Sequence, residues 1–135
     1  MDTFTKAKRS EIMSRIRSHN TRAEVLVFRA LRRRKIYFQK HYDKVWGKPD
    51  LALPRAKKAV FIDGDFWHGY RFAQLKKDDW KPYWREKIAG NMRRDRSNRA
   101  KLRRAGWKVM KIWEHEINKQ FEKSIERIAL FLTDA

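Results

Sequence analysis

Two aspartates and a histidine follow directly on an apolar run in the segment Val60-Phe61-Ile62-Asp63-Gly64-Asp65-Phe66-Trp67-His68. Asp63, Asp65 and His68 can each hold a metal ion or move a proton, whereas Phe66 and Trp67 are too large and apolar for a loop that meets no partner. Upstream, Gly47-Lys48-Pro49-Asp50-Leu51-Ala52-Leu53 supplies a turn, an aspartate and a second short apolar run. If the two runs pair as strands, Asp50 comes close to the segment from Asp63 to His68. The chemistry that fits is phosphodiester hydrolysis, which needs charge neutralised on the phosphate, an activated water and an acid for the leaving oxygen. Magnesium, a hard cation that prefers oxygen and keeps several waters, takes one or two carboxylates in such sites. Asp50 is the candidate direct ligand and Asp63 the second.

Restriction-type sites usually add a lysine after their paired acids. None follows Asp63-Gly64-Asp65, so His68 is the nearest group suited to proton transfer at neutral pH. Taken singly, each of these residues has an ordinary explanation: a strand-end aspartate is often a turn residue, and a lone histidine is usually on the surface. Their joint placement in a strongly basic chain is what points to catalysis.

That basicity is large. Over 135 residues, Lys and Arg total 35 against 16 Asp and Glu, a formal net charge of +19. A compact domain carries such self-repulsion best against a polyanion, and nucleic acid is the expected partner. An anionic lipid surface is the alternative, and a ribosomal type of basic component would share the charge. Six Trp and 13% aromatic residues separate the chain from disordered basic tails. With no cysteine, disulfides and thiolate metal sites are excluded. No apolar stretch approaches a membrane span and the N-terminus lacks a signal-like core, so a cytoplasmic location and no membrane partner are expected.

The elements that must position these residues are legible in outline. Lys8 to His19 places Ile12, Met13 and Ile16 at helical spacing. Thr21-Arg22-Ala23-Glu24 fits a capping box, with Val25, Leu26, Phe28, Ala30 and Leu31 as the apolar face of a second helix; on this reading Glu24 is a capping carboxylate before it is a catalytic one. Ile36 to Tyr42, Asp50 to Leu53 and Ala59 to Ile62 read as three strands. Pro82 suits the first turn of a long helix over Tyr83 to Ala105, crowded with Arg and Lys and ended by Gly106. Trp107 to Trp113 is a fourth strand, and Asn118 is the expected cap of a last helix that uses Phe121, Ile125, Ile128 and Leu132. The order α-α-β-β-β-α-β-α predicts one α/β domain over residues 1–135, a mixed sheet flanked by helices in the layout of restriction-type nucleases.

Within that frame a set of residues resembles the very-short-patch repair (Vsr) endonucleases. It comprises Glu24, Gly47-Lys48-Pro49-Asp50, Val60-Phe61-Ile62-Asp63-Gly64 with Phe66-Trp67-His68, Tyr83-Trp84-X-X-Lys87-Ile88 with Asn91 and Arg94-Asp95, Gly106-Trp107-X-Val109 and Trp113-Glu114. The match runs from about Lys8 to Leu132. The resemblance implies a restriction-endonuclease-like fold and a monomeric, magnesium-dependent nickase. Such an enzyme would incise DNA 5′ of the thymine in a T:G mismatch, working with mismatch-repair proteins. It implies Asp50 and the Ile62 carbonyl as metal ligands, His68 as the group activating water, and Glu24 holding metal-bound water. Phe66, Trp67 and Trp84 would wedge into the base stack, with Met13, Lys87 and Asn91 near base edges; aromatic insertion costs least where pairing is already poor.

The family's structural zinc is not expected, because Asp65, Tyr70, Phe72 and His115 stand where its ligands would be. Asp63 also replaces a histidine found in some members, which leaves it open as a ligand or as an orienter of His68. The alternatives are a homing or mobile-element endonuclease cutting specific sites on the same fold, and a non-catalytic nucleic-acid-binding module.

Overall fold

A computed structural model describes residues 21–64 and 82–134, the side chains of 82–84 excepted. Helix α1 (Arg22–Arg33) starts where the capping box places it: Glu24 N–H donates to Thr21 Oγ1 (3.3 Å) and Thr21 N–H donates to Glu24 Oε2 (3.0 Å). Its buried face is Ala23, Val27, Phe28 and Leu31. The chain leaves α1 through Lys35 at φ 61°, with the Ile36 N–H returning to the Leu31 carbonyl.

Four strands follow, β1 (Gln39–Lys40), β2 (Leu51–Leu53), β3 (Lys58–Asp63) and β4 (Lys108–Trp113), in one sheet of order β1-β2-β3-β4. The first two pairings are antiparallel and β3 runs parallel to β4, the crossover between them being the long helix α2 (Pro82–Arg104). The mixed sheet with flanking helices is the architecture expected. Every residue of β3 is buried. Its side chains alternate between two layers: Val60 and Ile62 pack with α1 and the C-terminal helices, Ala59 and Phe61 with Leu102 of α2. Burial on both faces is why this strand reads as an almost unbroken apolar run. Lys58 at its head is buried as well, and its Nζ donates to the carbonyls of Phe131 (2.8 Å) and Asp134, tying the sheet to the end of the last helix.

Helix α2 ends in a Schellman turn. Gly106 at φ 90° lets the Trp107 N–H reach the Leu102 carbonyl and its own N–H reach Arg103, each at 3.0 Å, the ending expected of that glycine.

Two expectations need correction. The first strand does not run from Ile36 to Tyr42. Left-handed residues at Lys35 and His41 (φ 46°) confine the regular pairing to Gln39 and Lys40, while Ile36 and Phe38 turn onto the core. Asn118 does not cap the last helix either. It lies inside a short extra helix, α3 (Glu114–Lys119), which begins at the end of β4 because Glu116 Oε2 accepts the Trp113 N–H at 2.9 Å. Gln120 (φ −137°) then breaks the axis before α4 (Phe121–Thr133), whose buried Ile125, Ile128 and Leu132 cover the sheet as expected. The expected helix at Lys8 to His19 lies outside the described residues.

Candidate active site

The site is assembled where the loop after β1, the start of β2 and the end of β3 meet the first turn of α1. Gly47 and Lys48, both left-handed (φ 83° and 47°), turn the loop so tightly that a Cβ on Gly47 would stand 3.2 Å from both the Phe61 ring and Asn98 of α2. This close approach delivers Pro49, which is buried, and then Asp50. The Ile62 N–H donates to Asp50 Oδ2 at 2.6 Å, which fixes the carboxylate against the end of β3.

Glu24 arrives from the other side. Fully buried, it has one oxygen in the capping box, while Oε1 stands 3.0 Å from Nε2 of His41. The cap reading and the active-site reading of Glu24 are therefore compatible, because each uses a different oxygen. His41 is set by the ladder, its N–H donating to the Asp50 carbonyl at 3.0 Å, and by an edge-on contact with the Phe28 ring at 5.7 Å. One ligand atom from each of Glu24, His41 and Asp50 fits within a 4.8 Å sphere of mutual distances. Burial pushes the Asp50 carboxyl well above its ordinary value, and the neighbouring Glu24 charge raises it further.

Asp63 has a different environment. Its two oxygens accept from Arg99 Nη1 and Nη2 at 2.9 and 2.7 Å, a buried bidentate pair, with the guanidinium 4.4 Å above the Phe61 ring. Both acids open on one cavity of about 480 Å³, lined by His41, Asp43, Asp50, Asp63 and Asp95 among others, with Lys48 and Arg99 as its basic residues. A cavity with four aspartates in a chain of charge +19 is a local reversal of sign.

Of the residues singled out in the sequence, Glu24, Asp50, Ile62 and Asp63 are brought together here. Lys87 and Asn91 lie partly buried on α2, Asn91 bonded to Arg94 one turn on. His68, Phe66, Trp67 and Met13 fall outside the described residues, as does the Trp84 side chain. His41 and Arg99 were missed as site residues. His41 sits in an aromatic-rich run that reads as plain strand, and its one signal is that pairing of this run with Asp50 to Leu53 puts it beside Asp50. Arg99 was visible only as a charge on the same helical stripe as Ile88 and Leu102.

The donor set suits a divalent cation: two crowded carboxylates, one of them held with its charge disfavoured, gain from a positive ion between them. Among the described residues no helix is long and apolar enough to cross a membrane.

An acidic cavity at the strand tips of a mixed sheet, in a chain built to meet a polyanion, is the arrangement of a DNA endonuclease with a restriction-type fold. A family model described as DNA mismatch endonuclease Vsr matches residues 1–74. The type II nicking enzyme V.NmeDIP of Neisseria meningitidis serogroup C is 30% identical over 136 residues, covering 99% of this chain and 92% of the relative. V.NmeAIP, from a serogroup A strain, is 38% identical over 118 residues, covering 86% and 84%. The DNA mismatch endonuclease Vsr of Escherichia coli is 30% identical over 114 residues, covering 84% and 73%. The chain belongs to the Vsr family and is a DNA-nicking hydrolase.

Proposed function

We infer that the chain nicks duplex DNA 5′ of the thymine in a T:G mismatch in a magnesium-dependent reaction, as a step of very-short-patch repair. The observation that carries this reading is the acidic cavity: Asp63 and Asp95 face Arg99, and a polyanionic substrate meets the remaining carboxylates, Asp50 beside Glu24 above all, best with a cation between them. Asp50 and the Ile62 carbonyl would hold the ion, and Glu24 would hold its water. When bound, the ion supplies charge neutralisation at the scissile phosphate and a more acidic water.

The chain's own groups do the rest. The Ile62 N–H orients Asp50, and the capping box locks Glu24. His68 is assigned the removal of the proton from the attacking water, on its resemblance to the family's histidine. The basic face of α2 and the other cations would track the phosphates, with Lys87 and Asn91 toward the bases. Phe66, Trp67 and Trp84 would open the stack at the mismatch, where unstacking is cheapest, with Met13 near the base edges.

A second reading is favoured by the relatives, several of which are type II nicking enzymes. On that reading the enzyme is a site-specific nickase whose recognition sequence matters more than the mispair. End-labelled duplexes separate the two: nicking confined to the T:G duplex in magnesium and lost with EDTA supports mismatch repair. Equal nicking of the matched duplex assigns the second reading.

A further inference from the structure

We propose that His41 supplies an imidazole nitrogen to the divalent ion held by Asp50 and Glu24, making this a mixed nitrogen–oxygen site. The inference deepens the divalent-ion reading above and rests on it. Each carboxylate is anchored through one oxygen by a backbone N–H, Glu24 Oε2 by Thr21 and Asp50 Oδ2 by Ile62. His41 is held by its backbone bond to the Asp50 carbonyl and by the Phe28 ring at its edge. Three prefixed side chains therefore meet at one corner of the cavity.

The three ligand atoms lie within 4.8 Å of one another, and one pair of them has the spacing of a shared ion. Nε2 of His41 and Oε1 of Glu24 are 3.0 Å apart. Neighbouring ligand atoms on an octahedral ion at about 2.1 Å stand about 3.0 Å from each other, so this pair matches one edge of such a shell. The independent observation is the charge around them: His41 lines the cavity whose aspartates outnumber its basic residues in an otherwise cationic chain.

An imidazole ligand changes which ion the site prefers. Oxygen-only sites suit magnesium, whereas a nitrogen donor raises affinity for the later first-row metals, with cobalt above manganese. A site of this composition takes Co2+ more tightly than Mg2+, and His41 is the source of the difference.

The test is metal binding by the full chain without DNA. Co2+ and Mg2+ are titrated separately by calorimetry into the wild-type chain and into His41→Asn, with Asp50→Asn as the control that identifies the site. The expected result is that His41→Asn weakens Co2+ by about tenfold or more while Mg2+ changes by less than about threefold, and that the visible Co2+ band shifts. An equal fall for both ions overturns the proposal, because His41 then only orients Glu24. Unchanged Co2+ affinity also overturns it, as does Co2+ binding that survives Asp50→Asn. Should His41→Asn not fold, nitrogen modulation in the pulsed electron-spin spectrum of Mn2+ bound to a chain carrying His19→Asn, His68→Asn and His115→Asn together decides the matter: its presence supports His41, the one imidazole left, as the ligand, and its absence refutes it. These readings are independent of nicking. A chain that binds Co2+ through His41 yet cuts no DNA sinks the nuclease function alone, and one that nicks with an unchanged ion preference sinks only the present inference.

Discussion

Two acidic corners share one cavity and are stabilised in opposite ways. At Asp63 the fold brings its own cation: Arg99 of α2 grips both carboxylate oxygens, and the pair is buried together with the Phe61 ring. Beside Asp50 stands another carboxylate, Glu24, and among the described residues no arginine or lysine pairs with either. At the first corner each Asp63 oxygen accepts from its own guanidinium nitrogen. The second sets two carboxylates side by side, and burial together with the Glu24 charge raises the Asp50 carboxyl. The same residue type is thus paired with an arginine on one side of the cavity and set beside another carboxylate on the other, and only the partner distinguishes them.

The sharpest way to break this comparison is to remove the two aspartates separately. Asp50→Asn is expected to lower nicking of a mismatched duplex in magnesium by about a thousandfold or more, since several kcal/mol of charge stabilisation are lost. Single-turnover assays with an end-labelled strand measure it, and retained nicking would remove Asp50 from the metal site. Arg99→Met, which strands the buried Asp63 charge, is expected to destabilise the fold by about 3–5 kcal/mol in urea unfolding. Replacing both partners, Asp63→Leu with Arg99→Met, should recover most of that. If the double variant is no better than the single, Asp63 does more than satisfy Arg99.

Glu24→Gln separates the two duties of that residue. Glutamine still completes a capping box, so stability should change by less than about 1 kcal/mol. Nicking should nevertheless fall by about tenfold to a hundredfold, the usual loss when a group supporting a metal is removed. Parallel losses of stability and activity would reduce Glu24 to a cap.

The smallest effect concerns pH. Because the Asp50 carboxyl is raised in the folded state, the native chain holds its proton more tightly than the unfolded chain. Without divalent ions, stability from this group is fully present at pH values below the unfolded carboxyl's pKa of about 4, and is lost as pH climbs through the raised folded value. Thermal midpoints of the EDTA-treated protein should therefore fall by a few degrees over that rise, about the shift that 1 kcal/mol produces. Magnesium or Asp50→Asn should flatten the slope. An Asp50→Asn chain with the same pH dependence as wild type would assign it to another group.

Several parts of the site were open to direct reading because they are local. Thr21 and Glu24 are three residues apart, and that spacing alone defines a capping box. Gly106 ends α2 because only a residue tolerant of positive φ closes the turn there. Gly47-Lys48-Pro49 before an apolar triplet announced that Asp50 would stand at a strand entrance, and the two short runs paired in the antiparallel register that this placement needs. The first strand was harder. Its apolar and aromatic composition favours extension, yet the left-handed turn at His41 depends on hydrogen bonds to Pro49 and Asp50 across the ladder. The break at Gln120 was missed for a related reason, since the Glu116 bond back to Trp113 starts a helix earlier than propensity suggests.

By itself the sequence determined the excess of positive charge and the order of the strands and of the helices around them apart from α3, because composition and short-range spacing carry that information. Tertiary structure alone decided which acid is neutralised from within and which is not. Asp63 and Arg99 are 36 positions apart, and Glu24 and His41 are 17 apart. Their electrostatics come from the packing of α1 and α2 on opposite faces of the sheet, and charges at such separations acquire partners only when the chain has folded.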